Sequence, residues 1–275
     1  MHKFWLITNR SSGSTSADRQ TALIERLREH GFAVAGATNF PDDPLPSADT
    51  LGAAGVKLAV LYAGDGTINA AIRKLEHWDG AILILPGGTM NLLARDLHGD
   101  ADLLSIIDLA DADAPRVALP YVQAGESRAF VGLILGPAAN WAHAREAARA
   151  GRGRSVLRAI VHAWRRTFGR GIRVTGAAGL PRQAQAVFVQ PDHGKLRVAA
   201  VDARDWRSIL ALGWDWVTGD WVKAAAVHEV RAQTLRITEH RPALGLFDGE
   251  PVKIAPDVTI RAGRTAPQFV QTRDA

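Results

Sequence analysis

Short apolar runs alternate with amphipathic stretches over the first 110 residues. Residues 3–8 read as a buried strand, followed by the polar turn Asn9-Arg10-Ser11-Ser12-Gly13-Ser14. Residues 18–30 place Ala22, Leu23, Ile24 and Leu27 at helical spacing, and Gly31 supplies a stop. Residues 32–38 and 56–62 predict two further strands, separated by a Pro- and Asp-rich loop at 39–47 and a short helix at 48–54. A helix at 67–78, a strand at 81–85 and helices at 90–97 and 101–109 complete this half. Strands alternating with helices build a parallel sheet covered on both faces.

After Asp113 the rhythm changes. Residues 116–122, 129–135, 185–189, 196–201, 223–230, 234–237 and 258–261 are strand-like and mostly joined by turns, which predicts an antiparallel β region of sandwich or barrel type. The division falls near 112–116, giving domains at 1–113 and 114–275.

Three polar turns fall at the carboxyl ends of the predicted parallel strands, where open α/β sheets bind ligands. They are 9–13, 64–69 and 87–91. The run Ala63-Gly64-Asp65-Gly66-Thr67-Ile68-Asn69 follows four apolar residues and precedes a helical pattern. Its glycines would allow positive φ and close approach of backbone N–H groups to a ligand. A helix N-terminus beside them favours an anion. The same run also reads as a tight β–α turn with Thr67 as N-cap and no ligand. No Walker A loop occurs, and neither Gly64-x-Gly66 nor Gly151-x-Gly153 completes a dinucleotide fingerprint.

Composition narrows the picture. The chain has 275 residues, 47% of them apolar, and no cysteine, so disulfides and thiolate metal sites are excluded. The nine histidines are scattered, with no pair at metalloprotease spacing. No signal peptide pattern opens the chain, and no apolar stretch approaches the ~20 residues of a membrane span. A cytoplasmic protein, peripherally associated with a membrane, is expected. Net charge is +5, yet residues 143–173 hold nine Arg, no Lys and the single acid Glu146. That segment carries +8, so the remainder sums to −3. A basic segment on an acidic body points to an anionic surface as partner.

Together the motifs resemble those of the diacylglycerol kinase catalytic domain, shared with sphingosine and ceramide kinases. Ala63 to Asn69 is similar to the family's Gly-Gly-Asp-Gly-Thr-x-Asn motif, with Ala63 in place of the first glycine. Pro86-Gly87-Gly88-Thr89-Met90-Asn91, with Ala94-Arg95 behind it, resembles Pro-x-Gly-Thr-x-Asn. Asn9-x-x-Ser12-Gly13 resembles the opening Asn-Pro-x-Ser-Gly, and Phe247-Asp248-Gly249-Glu250-Pro251 the late Asp-Gly-Glu motif. Four motifs in the family's order span residues 9 to 251. The resemblance implies an N-terminal parallel-sheet nucleotide-binding domain and a C-terminal antiparallel, lipid-substrate domain, with the active site in the cleft between them. It implies ATP and Mg²⁺. Asn9, Ser12, Gly13, Thr38, Ala63, Gly64, Asp65, Gly66, Thr67, Ile68, Asn69, Gly88, Thr89 and Asn91 would hold the nucleotide. Asp248 and Glu250 would supply the catalytic carboxylates, although Asp-Gly by itself is also a hairpin turn. Many bacterial members bind a structural Mg²⁺ at Asp-Asp-Gly-x-Leu-Asp; here the stretch is Asp192-His193-Gly194-Lys195-Leu196-Arg197, and two of the acids are absent.

The implied reaction transfers the γ-phosphate of ATP to a hydroxyl of diacylglycerol or a similar lipid. A sphingoid-base or ceramide kinase would use the same chemistry on another acceptor. An NAD kinase would share the Gly-Asp-Gly-Thr turn but not the Pro-x-Gly-Thr-x-Asn segment. A regulator without turnover would have no use for both Asp248 and Glu250. A bilayer substrate requires an interface. Within 142–173, Val156, Leu157, Ile160, Val161, Trp164 and Phe168 recur at helical spacing, flanked by Arg154, Arg158, Arg165 and Arg166. Such a helix would lie on an anionic membrane, or else pack Trp164 and Phe168 on the β domain. No nucleic-acid reader motif is present, and no nucleic-acid partner is expected.

Overall fold

Two uncharged runs rich in Leu, Ile, Val and Ala, residues 58–63 and 81–86, supply inner strands of the N-terminal half. The computed structural model describes residues 2–9, 17–88, 91–110, 114–136, 171–181, 183–184, 186–201 and 227–273. The chain divides into two units, Met1–Leu119 with Arg264–Ala275, and Pro120–Gly263.

The first unit runs β1 (His2–Thr8), α1 (Ala17–Glu29), β2 (Phe32–Asn39), α2 (Ala48–Ala53), β3 (Leu58–Ala63), α3 (Asp65–Lys74), β4 (Ala81–Pro86), α4 (Leu92–His98) and α5 (Leu103–Leu109). Its strands pair in parallel in the order β2-β1-β3-β4. All six residues of β3 are buried, as a strand covered on both faces requires. Phe4, Leu6, Val60, Tyr62, Leu83 and Leu85 form one core cluster with Leu23 and Leu27 of α1 and Ile106 and Ile107 of α5. The alternate residues Ala59, Leu61, Ile82 and Ile84 point the other way and are equally buried. There α3 lies against β3 and α4 against β4. Thr8 pairs with Asn39 and with Tyr62, and Ala63 with Pro86, so the carboxyl ends of the four strands share one edge.

The second unit is antiparallel. Strand β5 (Arg116–Ala124) enters it from the first unit, followed by β6 (Ser127–Ala129), β7 (Leu133–Leu135), β8 (Ile172–Thr175), β9 (Gln183–Ala184), β10 (Ala186–Asp192), β11 (Lys195–Val201), β12 (Val227–Ala232), β13 (Thr234–Ile237), β14 (Ala243–Phe247), β15 (Glu250–Ile254) and β16 (Thr259–Val270). One sheet has the order β12-β11-β10-β7-β14-β15. Elsewhere β13 pairs with β8 and with the first residues of β16. Leu133, Leu135, Val187, Val189, Val198 and Phe247 share a core with Val174, Leu235, Ile237 and Ile260.

The expected α/β architecture with an antiparallel second part therefore stands, and several expectations need correction. The strand expected at 129–135 is two strands, β6 and β7, because Phe130 to Gly132 turn their N–H groups onto a side chain instead of a ladder. The hairpin β14–β15 shows no clean alternation in its sequence and was absent from the predicted strands. Ile172 and Arg173, expected at the end of a basic helix, belong to β8; residues 142–170 lie outside the described residues. The largest correction is at the C-terminus. The division at 113 assigned everything beyond it to the second domain, whereas 264–275 return to the first unit. The expected strand at 258–261 is the start of the twelve-residue β16. Its end pairs in parallel with β4, Gln268 with Ala81 and Phe269 with Ile82.

The returning segment also closes over α4. Thr272 and Arg273 N–H donate to the Leu97 carbonyl at 3.2 and 3.0 Å. His98 Nδ1 lies 2.9 Å from Thr272 Oγ1, and its Nε2 is buried with no hydrogen-bond partner among the described residues. Burial pushes the imidazole pKa from 6.5 down to about 4, against a smaller opposing pull from the Ile84 backbone. As pH falls, the unfolded chain takes the proton before the folded one. The stabilisation is complete above pH 6.5 and drains away as pH falls towards about 4, the full difference being about 3 kcal/mol. Melting curves across this window should show a steep loss of stability in the parent protein and a shallower one in His98→Gln; equal slopes would remove His98 as the cause.

Candidate active site

Asn9 after β1, Gly64 after β3 and Gly87 and Gly88 after β4 share the carboxyl edge of the parallel sheet. Gly64 is the N-cap of α3 with φ −82 and ψ 165, and offers no side-chain cap. Gly66 lies inside α3. Neither is among the positive-φ glycines, so the expected left-handed backbone is not what selects glycine at these positions. Close approach governs the facing turn instead. A Cβ on Gly87 would stand 2.6 Å from the Ala63 nitrogen, and one on Gly88 would stand 2.8 Å from Gly64 Cα. The two loops are stacked backbone on backbone.

Side chains then bind the turns together. Thr67, expected as N-cap, is instead the third residue of α3, buried, and its Oγ1 accepts from Asn9 Nδ2 at 2.9 Å. Asp65 opens α3, and its Oδ1 accepts from Leu92 N–H at 3.1 Å, tying the start of α3 to the start of α4. Asn91, left-handed at φ 49, closes the 88–91 turn on itself. Gly88 N–H donates to its Oδ1 at 2.6 Å, and its Nδ2 donates to the Gly88 carbonyl at 3.1 Å. Thr38 at the end of β2 is buried, and its Oγ1 accepts from the Trp5 indole N–H at 3.0 Å. Asn9, Thr38, Ala63, Gly64, Asp65, Gly66, Thr67, Ile68, Asn69, Gly88 and Asn91 thus lie on or beside this edge. Ser12, Gly13 and Thr89 lie outside the described residues. Ile68 is 1% exposed and belongs to the core under the site.

The other two expected residues belong to the second unit. Asp248 and Gly249 form the turn between β14 and β15, with φ 49 and 88, the paired left-handed geometry of an Asp-Gly hairpin. Asp248 is 6% exposed. Its Oδ2 accepts from Phe130 N–H at 2.8 Å, and its Oδ1 from Val131 and Gly132 N–H at 2.8 and 2.9 Å. Its own N–H donates to the Gly132 carbonyl at 3.0 Å. Glu250 pairs across the hairpin with Phe247 and is exposed. The hairpin reading and the carboxylate reading of this motif are therefore compatible.

Asp192 to Arg197 form another tight hairpin, left-handed at His193 and Gly194. Arg197 grips Glu229 with two bonds of 2.6 and 3.0 Å, and Arg231 donates to Asp192 at 2.6 Å. Asp192 and Glu229 are thus each ion-paired with an arginine. Among the described residues no group of three or more His, Asp or Glu side chains is arranged to hold a metal ion.

Sequence reasoning did not find the Trp5–Thr38 bond, the Asp65–Leu92 cap or the Phe130–Gly132 donors. Backbone donors carry no residue signature, and the Asp65 bond spans 27 positions.

In open α/β sheets ligands bind beyond the carboxyl ends of the strands, which is where these glycine turns lie. The model of the diacylglycerol kinase catalytic domain family matches residues 3–119. The resemblance drawn from the first three motifs lies within that match; the Asp248–Glu250 motif lies beyond it. No curated protein matches the chain. Among solved structures, a diacylglycerol kinase from Bacillus anthracis strain Sterne is similar with 15% identity and a TM-score of 0.66, over 98% of this chain and 97% of that one. Two further structures from the same strain are 18% and 17% identical, with the same coverage and TM-score. At these identities the likeness is one of fold.

The stacked turns yield a direct test. Gly88→Ala should cost about 1–3 kcal/mol because the new methyl meets rigid backbone. Asn91→Ala should cost about 1 kcal/mol through its lost bonds. Chemical denaturation measures both, and an unchanged midpoint for Gly88→Ala would contradict the close approach.

Proposed function

We propose that the protein is an ATP-dependent lipid kinase that transfers the γ-phosphate of ATP to a hydroxyl of diacylglycerol or a similar lipid. The observation that carries this reading is the glycine cradle at the carboxyl edge of the sheet. Gly87 and Gly88 leave no room for a side chain, and α3 directs its first N–H groups and its positive dipole end at the same edge. Such an edge suits polyphosphate. Asn9, Thr67 and Asp65 hold the cradle rigid, and phosphoryl transfer depends chiefly on positioning. Mg²⁺ accompanying the nucleotide would neutralise charge on the phosphate oxygens. With no cage of three ligating side chains among the described residues, it would be held largely by those oxygens and water.

The acceptor hydroxyl is a weak nucleophile until a carboxylate takes its proton, a contribution of ~10²–10⁴ in rate. Asp248 and Glu250 supply carboxylates of the required type. Incubation with ATP labelled in the γ-phosphate, Mg²⁺ and a panel of diacylglycerol, sphingosine, ceramide and NAD should label diacylglycerol most strongly. Label in sphingosine or ceramide would reassign the acceptor, and label in none would overturn the kinase reading.

The substrate sits in a bilayer, and no helix among the described residues is long and apolar enough to cross one. We propose that the basic segment 142–173 brings the enzyme to an anionic lipid surface, each cation near that surface being worth about 1 kcal/mol. Arg158→Gln, Arg165→Gln and Arg166→Gln combined should reduce sedimentation with phosphatidylserine-containing vesicles, more at low salt than at high, without changing ATP affinity. Vesicle binding untouched by the triple change would leave this segment with a packing role.

A further inference from the structure

Strand β2 holds one more residue than the stretch of β1 it pairs with. Phe4 pairs with Val34, but Trp5 pairs with Gly36, so Ala35 is bulged out of the register. The shift decides which face each later residue takes, because side chains alternate along a strand. It puts Gly36 and Thr38 on the face that carries Trp5. Gly36 then makes room for the indole: a Cβ there would collide with Trp5 Cζ3 and Cη2. Two residues further along β2, the indole N–H donates to Thr38 Oγ1 at 3.0 Å.

An indole N–H can only donate, so the direction of this bond is fixed. A threonine hydroxyl carries one proton and two lone pairs. Trp5 takes up a lone pair and leaves the proton. Thr38 is 4% exposed, yet among the described residues none accepts its O–H. Buried hydroxyls are normally paired, so this proton points to an acceptor that comes from outside the described fold. Thr38 lies at the carboxyl end of β2, and Thr8 Oγ1 donates to its carbonyl at 3.4 Å, tying the backbone beneath the hydroxyl to β1. Thr67, at the start of α3, is placed alike: it is buried and its Oγ1 accepts from Asn9 Nδ2. A hydroxyl made to donate suits a ligand rich in acceptors, and this is the edge where open α/β sheets bind ligands.

We propose that Trp5 is a positioning residue for the nucleotide: its indole N–H holds the Thr38 hydroxyl so that the O–H donates to an acceptor oxygen of bound ATP. The proposal rests on the kinase reading above. Gly36 and the bulge at Ala35 belong to the same arrangement, since a side chain at 36 or loss of the extra residue would part the ring from Thr38. Trp5 acts on binding and not on the chemical step. The bond is made equally before and during phosphoryl transfer, so its loss raises KM and leaves kcat.

The full-length protein tests this by calorimetric titration with ATP and Mg²⁺, by KM and kcat on diacylglycerol in mixed micelles, and by melting curves. Trp5→Phe keeps an aromatic ring and loses the N–H. It should weaken ATP binding about 3–10-fold, the range of one hydrogen bond, and raise KM for ATP by the same factor with kcat unchanged. Thr38→Val should do the same, and the double variant should lose no more than either change alone. Thr38→Ser, which keeps the hydroxyl, should bind ATP as the parent does. A Trp5→Phe protein that melts lower but binds ATP as tightly as the parent makes the bond a brace of the sheet and overturns the proposal. A double variant whose loss is the product of the two single losses also overturns it, because the residues then act separately. Where Trp5→Phe does not fold, Gly36→Ala decides: it displaces the ring without altering the Thr38 hydroxyl, and an unchanged ATP affinity overturns the proposal. A parent protein that binds ATP but labels no lipid overturns the kinase reading, and the titrations still decide the role of Trp5. A parent that binds no ATP overturns both.

Discussion

The first unit depends on a contact that no side chain makes. The backbone of Gly87 and Gly88 rests on the backbone of Ala63 and Gly64, at a spacing that excludes even a methyl group. Glycine at these positions lets the β3–α3 and β4–α4 turns stack, and the helices that follow begin side by side. The Asp65 bond to Leu92 N–H exists because of that stacking. The Asn9 bond to Thr67 likewise joins the end of β1 to the first turn of α3.

The second unit solves a similar problem by the opposite means. There a single side chain, Asp248, organises backbone that carries no sequence code of its own. Phe130, Val131 and Gly132 interrupt what would otherwise be one strand, and their N–H groups need acceptors because they are buried or half-buried. One carboxylate supplies them. In the first unit glycine permits the approach of backbone to backbone; in the second an acid replaces a missing ladder.

The chain's course between the units shows where pattern reading reaches its limit. Strands 234–237 and 32–38 were legible because their alternation or apolar content is local. The end of β16 was not. Gln268 and Phe269 find their partners in β4, about 190 positions earlier, a pairing that loop-closure considerations permit but no local signal announces. His98 is similar. As one of nine scattered histidines it reads as a core or surface residue, and only its burial against Thr272 makes it a titrating element of the fold.

What the sequence determined by itself was the kind of protein: alternating strands and helices, three polar turns at strand ends, a basic segment on an acidic body, and four motifs in one order. These depend on periodicity and residue type, which are properties of the chain. What only the tertiary structure decided was the use made of those residues. Gly88 is required by a neighbour 24 positions away, Thr67 is a braced helix residue and not a cap, and Asp248 is a buried acceptor of three N–H bonds while Glu250 faces outward. Burial, close approach and backbone hydrogen bonding arise between segments distant in sequence, so they come into being with the fold.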